Sequence, residues 1–91
     1  MTLTEFAASD GQSYRGALRA LWLAGRGDWG PAHEIAQADD SREGAWVHAY
    51  LHRMEGDAAN AGYWYRRAGR PAQTGNLHAE WEAIVEELLR G

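Results

Sequence analysis

The chain has 91 residues, of which 45% are hydrophobic and 24% charged, with a formal net charge of −4 and no cysteine. That length supports one small domain and that composition a packed core, which excludes a disordered or low-complexity chain. Without cysteine there are no disulfides, no zinc–thiolate sites and no cysteine nucleophiles. The negative balance argues against nucleic acid as a partner. No apolar run approaches the ~20 residues of a membrane span, and the polar start (Thr2, Thr4, Glu5) does not read as a signal peptide, so a cytoplasmic protein is expected. All nine basic residues are arginine, a bias that fits a GC-rich bacterial coding style.

The elements predicted in chain order are all helical. Valine and isoleucine together number four (Ile35, Val47, Ile84, Val85), and no stretch alternates as a strand would. Alanine and leucine, both good helix formers, carry the apolar positions. Leu3 and Phe6 allow a short N-terminal turn of helix, broken at Asp10-Gly11. A first full helix is predicted over about 13–26, capped by Ser13, with Tyr14, Ala17, Leu18, Leu21 and Gly25 on one stripe. Trp22 and Leu23 fall off that stripe, so this helix should be covered on two sides.

Gly27-Asp28 ends that helix and caps the next, about 29–38, with Pro31 in its first turn and a thin face of Ala32, Ile35 and Ala36. Asp40 and Glu43 form a capping-box-like start for a helix over about 42–55 that buries Trp46, Val47, Tyr50, Leu51 and Met54. Gly56-Asp57 repeats the stop-and-cap signal. The next helix, about 58–68, presents Ala58, Ala61, Trp64, Tyr65 and Ala68 and ends at Gly69. Residues 70–76 read as a loop. Asn76 caps a last helix over 77–90, with a stripe of Leu77, Trp81, Ile84, Val85, Leu88 and Leu89 opposite Glu82 and Glu86.

A shift of 29 residues aligns Ala20 with Ala49, Gly27-Asp28 with Gly56-Asp57, and Ala32 with Ala61. Each copy is a helix, a sharp capped turn and a second helix with a small residue where the pair crosses. On these residues, with Tyr65, Ala68 and Pro71 completing the second copy, the stretch over about 14–71 resembles the tetratricopeptide and Sel1-like helical-hairpin repeats. The first copy departs from the family pattern at Ala36 and Asp39, and the spacing is shorter than the usual ~34 residues. The resemblance implies an all-α single domain of about five helices, with antiparallel hairpins at 13–38 and 41–69 and helix 77–90 as a cap. It also implies a scaffold for binding another protein rather than an enzyme.

Three groups of residues carry candidate chemistry. His48, His52 and Glu55 share one helix face at i, i+4 and i+7, a spacing that can chelate zinc or nickel. A solvated polar face is the favoured account of them, since two histidines at helical spacing are a weak signal without a fourth ligand, and the expectation is no bound metal or cofactor. A small metal- or ligand-binding protein built on these histidines is the alternative function. Tyr63-Trp64-Tyr65-Arg66-Arg67, with Arg70, places three adjacent aromatics over about 200° of one helix, so Tyr63 should point away from the core. Leu23, Tyr63, Arg66 and Arg70 are therefore the expected partner-binding residues, with a protein partner or, through Trp22 and Leu23, a second copy of the chain. Glu80, Glu82, Glu86 and Glu87 read as a solvated face. Ser9, Ser13 and Ser41 lack a nucleophile's context, and capping at helix starts explains Ser13 and Ser41; Gly25-Arg26-Gly27 lacks the lysine and spacing of a phosphate loop. No catalytic constellation emerges.

Overall fold

The computed structural model describes residues 3–9, 11 and 14–90, the Thr4 side chain excepted. Its described residues are all-helical, with six helices: α1 (Leu3–Ala8), α2 (Gly16–Gly25), α3 (Trp29–Ala38), α4 (Arg42–Met54), α5 (Ala58–Ala68) and α6 (Leu77–Arg90). The N-terminal turn is thus a helix of its own. Ser13, the expected cap of α2, lies outside the described residues; α2 itself begins at Gly16 behind Arg15, whose side chain caps nothing. No helix among the described residues is long and apolar enough to cross a membrane.

The two hairpins, α2–α3 and α4–α5, turn in the same way. In the first, the Asp28 amide donates to Leu23 O and the Gly27 amide to Ala24 O, both at 3.0 Å. In the second, 29 residues on, the Asp57 amide donates to His52 O at 2.9 Å and the Gly56 amide to Arg53 O at 3.0 Å. Gly27 and Gly56 both take a left-handed φ, +85° and +83°, which a side chain would disfavour. The aligned alanines on either side of each turn are buried, Ala20 and Ala32 in the first hairpin and Ala49 and Ala61 in the second. Small side chains there let the backbones approach closely.

The two copies differ at the cap. The Asp57 side chain accepts from the Asn60 amide at 3.1 Å. Asp28, expected to cap α3, makes no such bond. The reason is local: the third residue of α3 is Pro31, which has no N–H to donate. Of the two residues offered at the start of α4, Asp40 and Ser41, it is Ser41 that caps. Ser41 Oγ accepts from the Gly44 amide at 3.0 Å while Asp39 Oδ1 holds the Ser41 hydroxyl at 2.6 Å. Gly44 is required there, because a Cβ would lie 2.5 Å from the Asp39 carbonyl oxygen. Asn76 caps α6 as expected, accepting from the Ala79 amide at 2.9 Å.

α6 packs on α2 and α4, and α1 bridges α2 and α6. The stripe of α6 narrows in the process: Trp81, Ile84 and Val85 are buried, Leu88 and Leu89 half-buried, and Leu77 is exposed. Trp81 Nε1 donates to Leu21 O at 2.8 Å in the interior, and Phe6 of α1 is fully buried beside Tyr14 and Trp81. These two helices supply the second cover that the apolar flank of α2 demands. Trp22 is half-buried, its Nε1 donating to Ser9 O at 3.1 Å, and Leu23 is half-buried against the core rather than an exposed edge.

A correction concerns Glu80. Instead of joining a solvated face it is buried, paired with Arg53 and accepting from the Tyr65 hydroxyl. Arg53 also donates to Gly75 O, so one buried carboxylate ties α4, α5, α6 and the 70–76 loop together. Glu82 is half-buried; Glu86 and Glu87 are exposed, as expected of the outer face.

Candidate functional site: a histidine cluster between two indoles

The site forms where the two hairpins meet. Trp29 opens α3 and sends its Nε1–H to Leu51 O of α4 at 2.7 Å, which fixes the start of α3 against α4. One helical turn later His33 stacks on the Trp29 ring, centroids 4.7 Å apart at 12°, as residues four apart on one helix face do. α4 contributes His48 and His52, again four apart, with rings stacked at 4.9 Å. His33 meets both edge-on, at 4.6 Å from His48 and 5.4 Å from His52. α5 closes the other side: Trp64 stacks on His48 at 3.9 Å. Three imidazoles are thus gathered between two indole walls.

The nitrogen geometry is more informative than the ring contacts. His33 Nε2 and His48 Nε2 are 3.0 Å apart, and one donor nitrogen from each of His33, His48 and His52 lies within 4.8 Å of the others. Two imidazole nitrogens at ~2.0–2.1 Å from one tetrahedral zinc stand roughly 3.3 Å apart. His52 Nδ1 lies 2.6 Å from Glu55 Oε1. A carboxylate can only accept, so the ring donates from Nδ1, which leaves Nε2 as the nitrogen a metal would take. Glu55 is thus engaged with His52, and the third imidazole of the cluster comes from α3.

Electrostatics keep the donors available. His48 is only 3% exposed, contrary to the solvated face expected for it. Burial first, and then the neighbouring His33 and His52 rings, push its pKa down to about 4. Burial and His52 likewise lower that of His33, with Glu55 and Glu34 opposing. Both rings are neutral near pH 7, the form that binds metal. His48 Nδ1 is buried with no hydrogen-bond partner. Whichever nitrogen carries the proton, this ring keeps an unanswered donor or acceptor in the interior, a cost in a site that does not otherwise need it.

The residues expected to bind a partner are not brought into one patch. Leu23 lies on α2 and Tyr63 and Arg66 on α5, and these two helices do not touch. Tyr63 does point outward, 45% exposed, with Arg67 Nη1 donating to its hydroxyl at 3.2 Å and the Arg67 guanidinium 5.4 Å over the Trp64 ring. Arg66 is exposed. Arg70, though exposed, is committed to Glu87 of α6 and lies 3.8 Å over the Trp46 ring. His78, the fourth histidine, is remote from the cluster and stacks on Trp81.

Sequence reasoning found His48, His52 and Glu55 but not the completing His33, nor the walls Trp29 and Trp64. Their part in the site depends on the packing of α3 and α5 against α4, which no local spacing in the sequence marks. The chain matches no protein-family model, and neither a curated protein nor a solved structure is significantly similar to it.

Proposed function

We propose that this chain is a small helical metal-binding protein whose ion is held by His33, His48 and His52. The observation that carries this reading is the convergence of three imidazole nitrogens from two helices, with a 3.0 Å Nε2–Nε2 approach at its centre. An all-nitrogen donor set of neutral imidazoles selects zinc, copper, nickel or cobalt over magnesium and calcium, which prefer oxygen. Glu55 is the outer partner that such a ligand usually has, and the nearby carboxylates of Glu34 and Asp57 offset the charge that a divalent ion brings. The test is calorimetric titration of chelator-stripped protein with Zn(II) and Cu(II). One ion per chain is expected, with affinity lost on the order of 100-fold in His33→Ala and His52→Ala, each compared with the native chain at equal helicity by circular dichroism. Absence of stoichiometric binding to the native chain would overturn the reading.

The second reading is the one drawn from the repeat resemblance: a cytoplasmic tetratricopeptide-like scaffold that binds a protein. What favours it is the outward Tyr63 flanked by Arg66 and Arg67, a composition typical of interface cores. It competes with a feature of the fold. The faces of α2 and α4 that would line a peptide groove, the first helices of the two hairpins, are packed against α6.

A further inference from the structure

Resting on the metal-binding reading, we infer that the bound ion keeps one coordination position for an exchangeable small monodentate anion, with water as its resting occupant. The inference begins from the supply of donors. Among the described residues no other histidine, aspartate or glutamate atom joins the three imidazoles within 4.8 Å, and the chain has no cysteine. The two carboxylates grouped with His52 are engaged elsewhere, and Glu34, whose charge acts on His33, does not join the three imidazoles. Glu55 takes the Nδ1–H of His52. Asp57 caps α5, its Oδ1 on the Asn60 amide and its Oδ2 on the Asn60 side-chain amide at 2.6 Å. A tetrahedral ion here has three protein ligands, the number that goes with an open fourth position, whereas sites that only hold a fold together have four.

Access and charge decide what fills that position. His48 is buried, but His33 and His52 are half-buried, so the cluster is enclosed on the α5 side and reached by solvent on the other. Three neutral imidazoles leave the full charge of a divalent ion uncompensated within the coordination sphere, which favours an anionic fourth ligand and acidifies a bound water. Trp29 stacks on His33 and Trp64 on His48, which holds these two imidazoles in place and leaves one coordination position open. A single open position takes a one-atom donor such as hydroxide, azide, cyanate or a singly bound carboxylate, whereas a chelating anion needs two positions. Exchange is a ligand substitution: the anion's lone pair forms the new bond as the metal–water bond breaks.

Cobalt(II) makes the position visible, because its d–d absorption reports coordination number and ligand type. The native chain is loaded with one Co(II), freed of excess metal by gel filtration, and titrated with sodium azide. The expected result is a shift of the visible bands that saturates along a single-site isotherm, with an isosbestic point. A cobalt spectrum that forms stoichiometrically but does not move in a large excess of azide would overturn the open position while leaving the metal site standing. Failure of Co(II), Zn(II) and Cu(II) alike to bind overturns both. The Glu55→Gln chain, loaded in the same way, separates geometry from mere folding: it should bind Co(II) about 10–100-fold more weakly yet respond to azide once loaded. If it loads as tightly as the native chain, Glu55 does not position His52.

Discussion

His48 shows how a residue's chemistry is set by what folds around it. On the sequence it is one of two histidines on a helix face; in the fold it lies under Trp64 with one nitrogen against His33 and the other unpartnered. Its folded pKa of about 4 lies below the ordinary value of 6.5. The unfolded chain therefore takes a proton near pH 6.5 that the folded chain refuses until about pH 4. The contribution is complete above pH 6.5 and is lost as the pH falls through this window. In metal-free protein the urea midpoint should drop between pH 6.5 and 4 more steeply than in His48→Phe; parallel profiles would show that His48 is not the group responsible. Tyr63 makes the opposite case. Its outward direction was legible from three consecutive aromatics, since one helix cannot bury all three, and the structure places it at 45% exposure. Tyr63→Ala should change stability by no more than about 0.5 kcal/mol, read by chemical denaturation; a loss of several kcal/mol would mean that its edge-on contact with Trp64 belongs to the core. His33 was not legible in the same way. Its role depends on a neighbour fifteen residues along the chain, and no local pattern encodes that distance.

Among elements, boundaries were legible wherever a turn signal acts through the backbone. Gly27, Gly56 and Gly69 end their helices where a left-handed φ is needed, and α3 and α6 begin and end where periodicity puts them. Caps were less legible because they turn on a single N–H. Asp28 and Asp57 occupy equivalent places, yet only the latter caps, since Pro31 stands where Asn60 stands in the second copy. The character of α6 was misread at one position for a related reason. Glu80 lies in the first turn, beside Trp81, and only the arrival of Arg53 from α4 and Tyr65 from α5 makes its burial tolerable. A buried carboxylate needs a paired, hydrogen-bonded environment, and that pairing is tertiary. Tyr65 carries the mark of it, burial and the Glu80 carboxylate together raising its pKa well above the ordinary tyrosine range. Glu80→Gln removes the charge but keeps the shape, leaving the Arg53 guanidinium, 13% exposed, without its counter-charge. The expected loss is about 3 kcal/mol, measured by urea denaturation. A loss below about 1 kcal/mol would mean that Gly75 O and solvent satisfy Arg53 on their own.

At the scale of the whole molecule, the all-α class and the hairpin arrangement follow from composition and turn spacing, whereas the way the ends of the chain close the fold does not. α1 and α6 seal the flank of α2, so the apolar excess of that helix is answered within one chain and does not by itself call for a second copy. The remaining seam is the junction of the hairpins, where α3 meets α4, and there the three imidazoles sit. An ion held by His33 from one hairpin and by His48 and His52 from the other would link the two halves in the folded state, while the unfolded chain offers no preformed set of three ligands. Binding to the folded form alone stabilises it by about 2.7 kcal/mol at a free metal concentration a hundred times the dissociation constant. For a domain of this size each 1 kcal/mol corresponds to roughly 4–8 °C, so Zn(II) at that concentration should raise the midpoint of thermal unfolding by about 10–20 °C. The rise should vanish in His33→Ala, which cuts the link on the α3 side, and should persist in His78→Ala, whose ring stacks on Trp81 away from the seam. An equal rise in all three chains would place the ion elsewhere; no rise in the native chain, at a concentration shown by titration to saturate it, would mean that the ion binds folded and unfolded chains alike and that the hairpins are joined by packing alone.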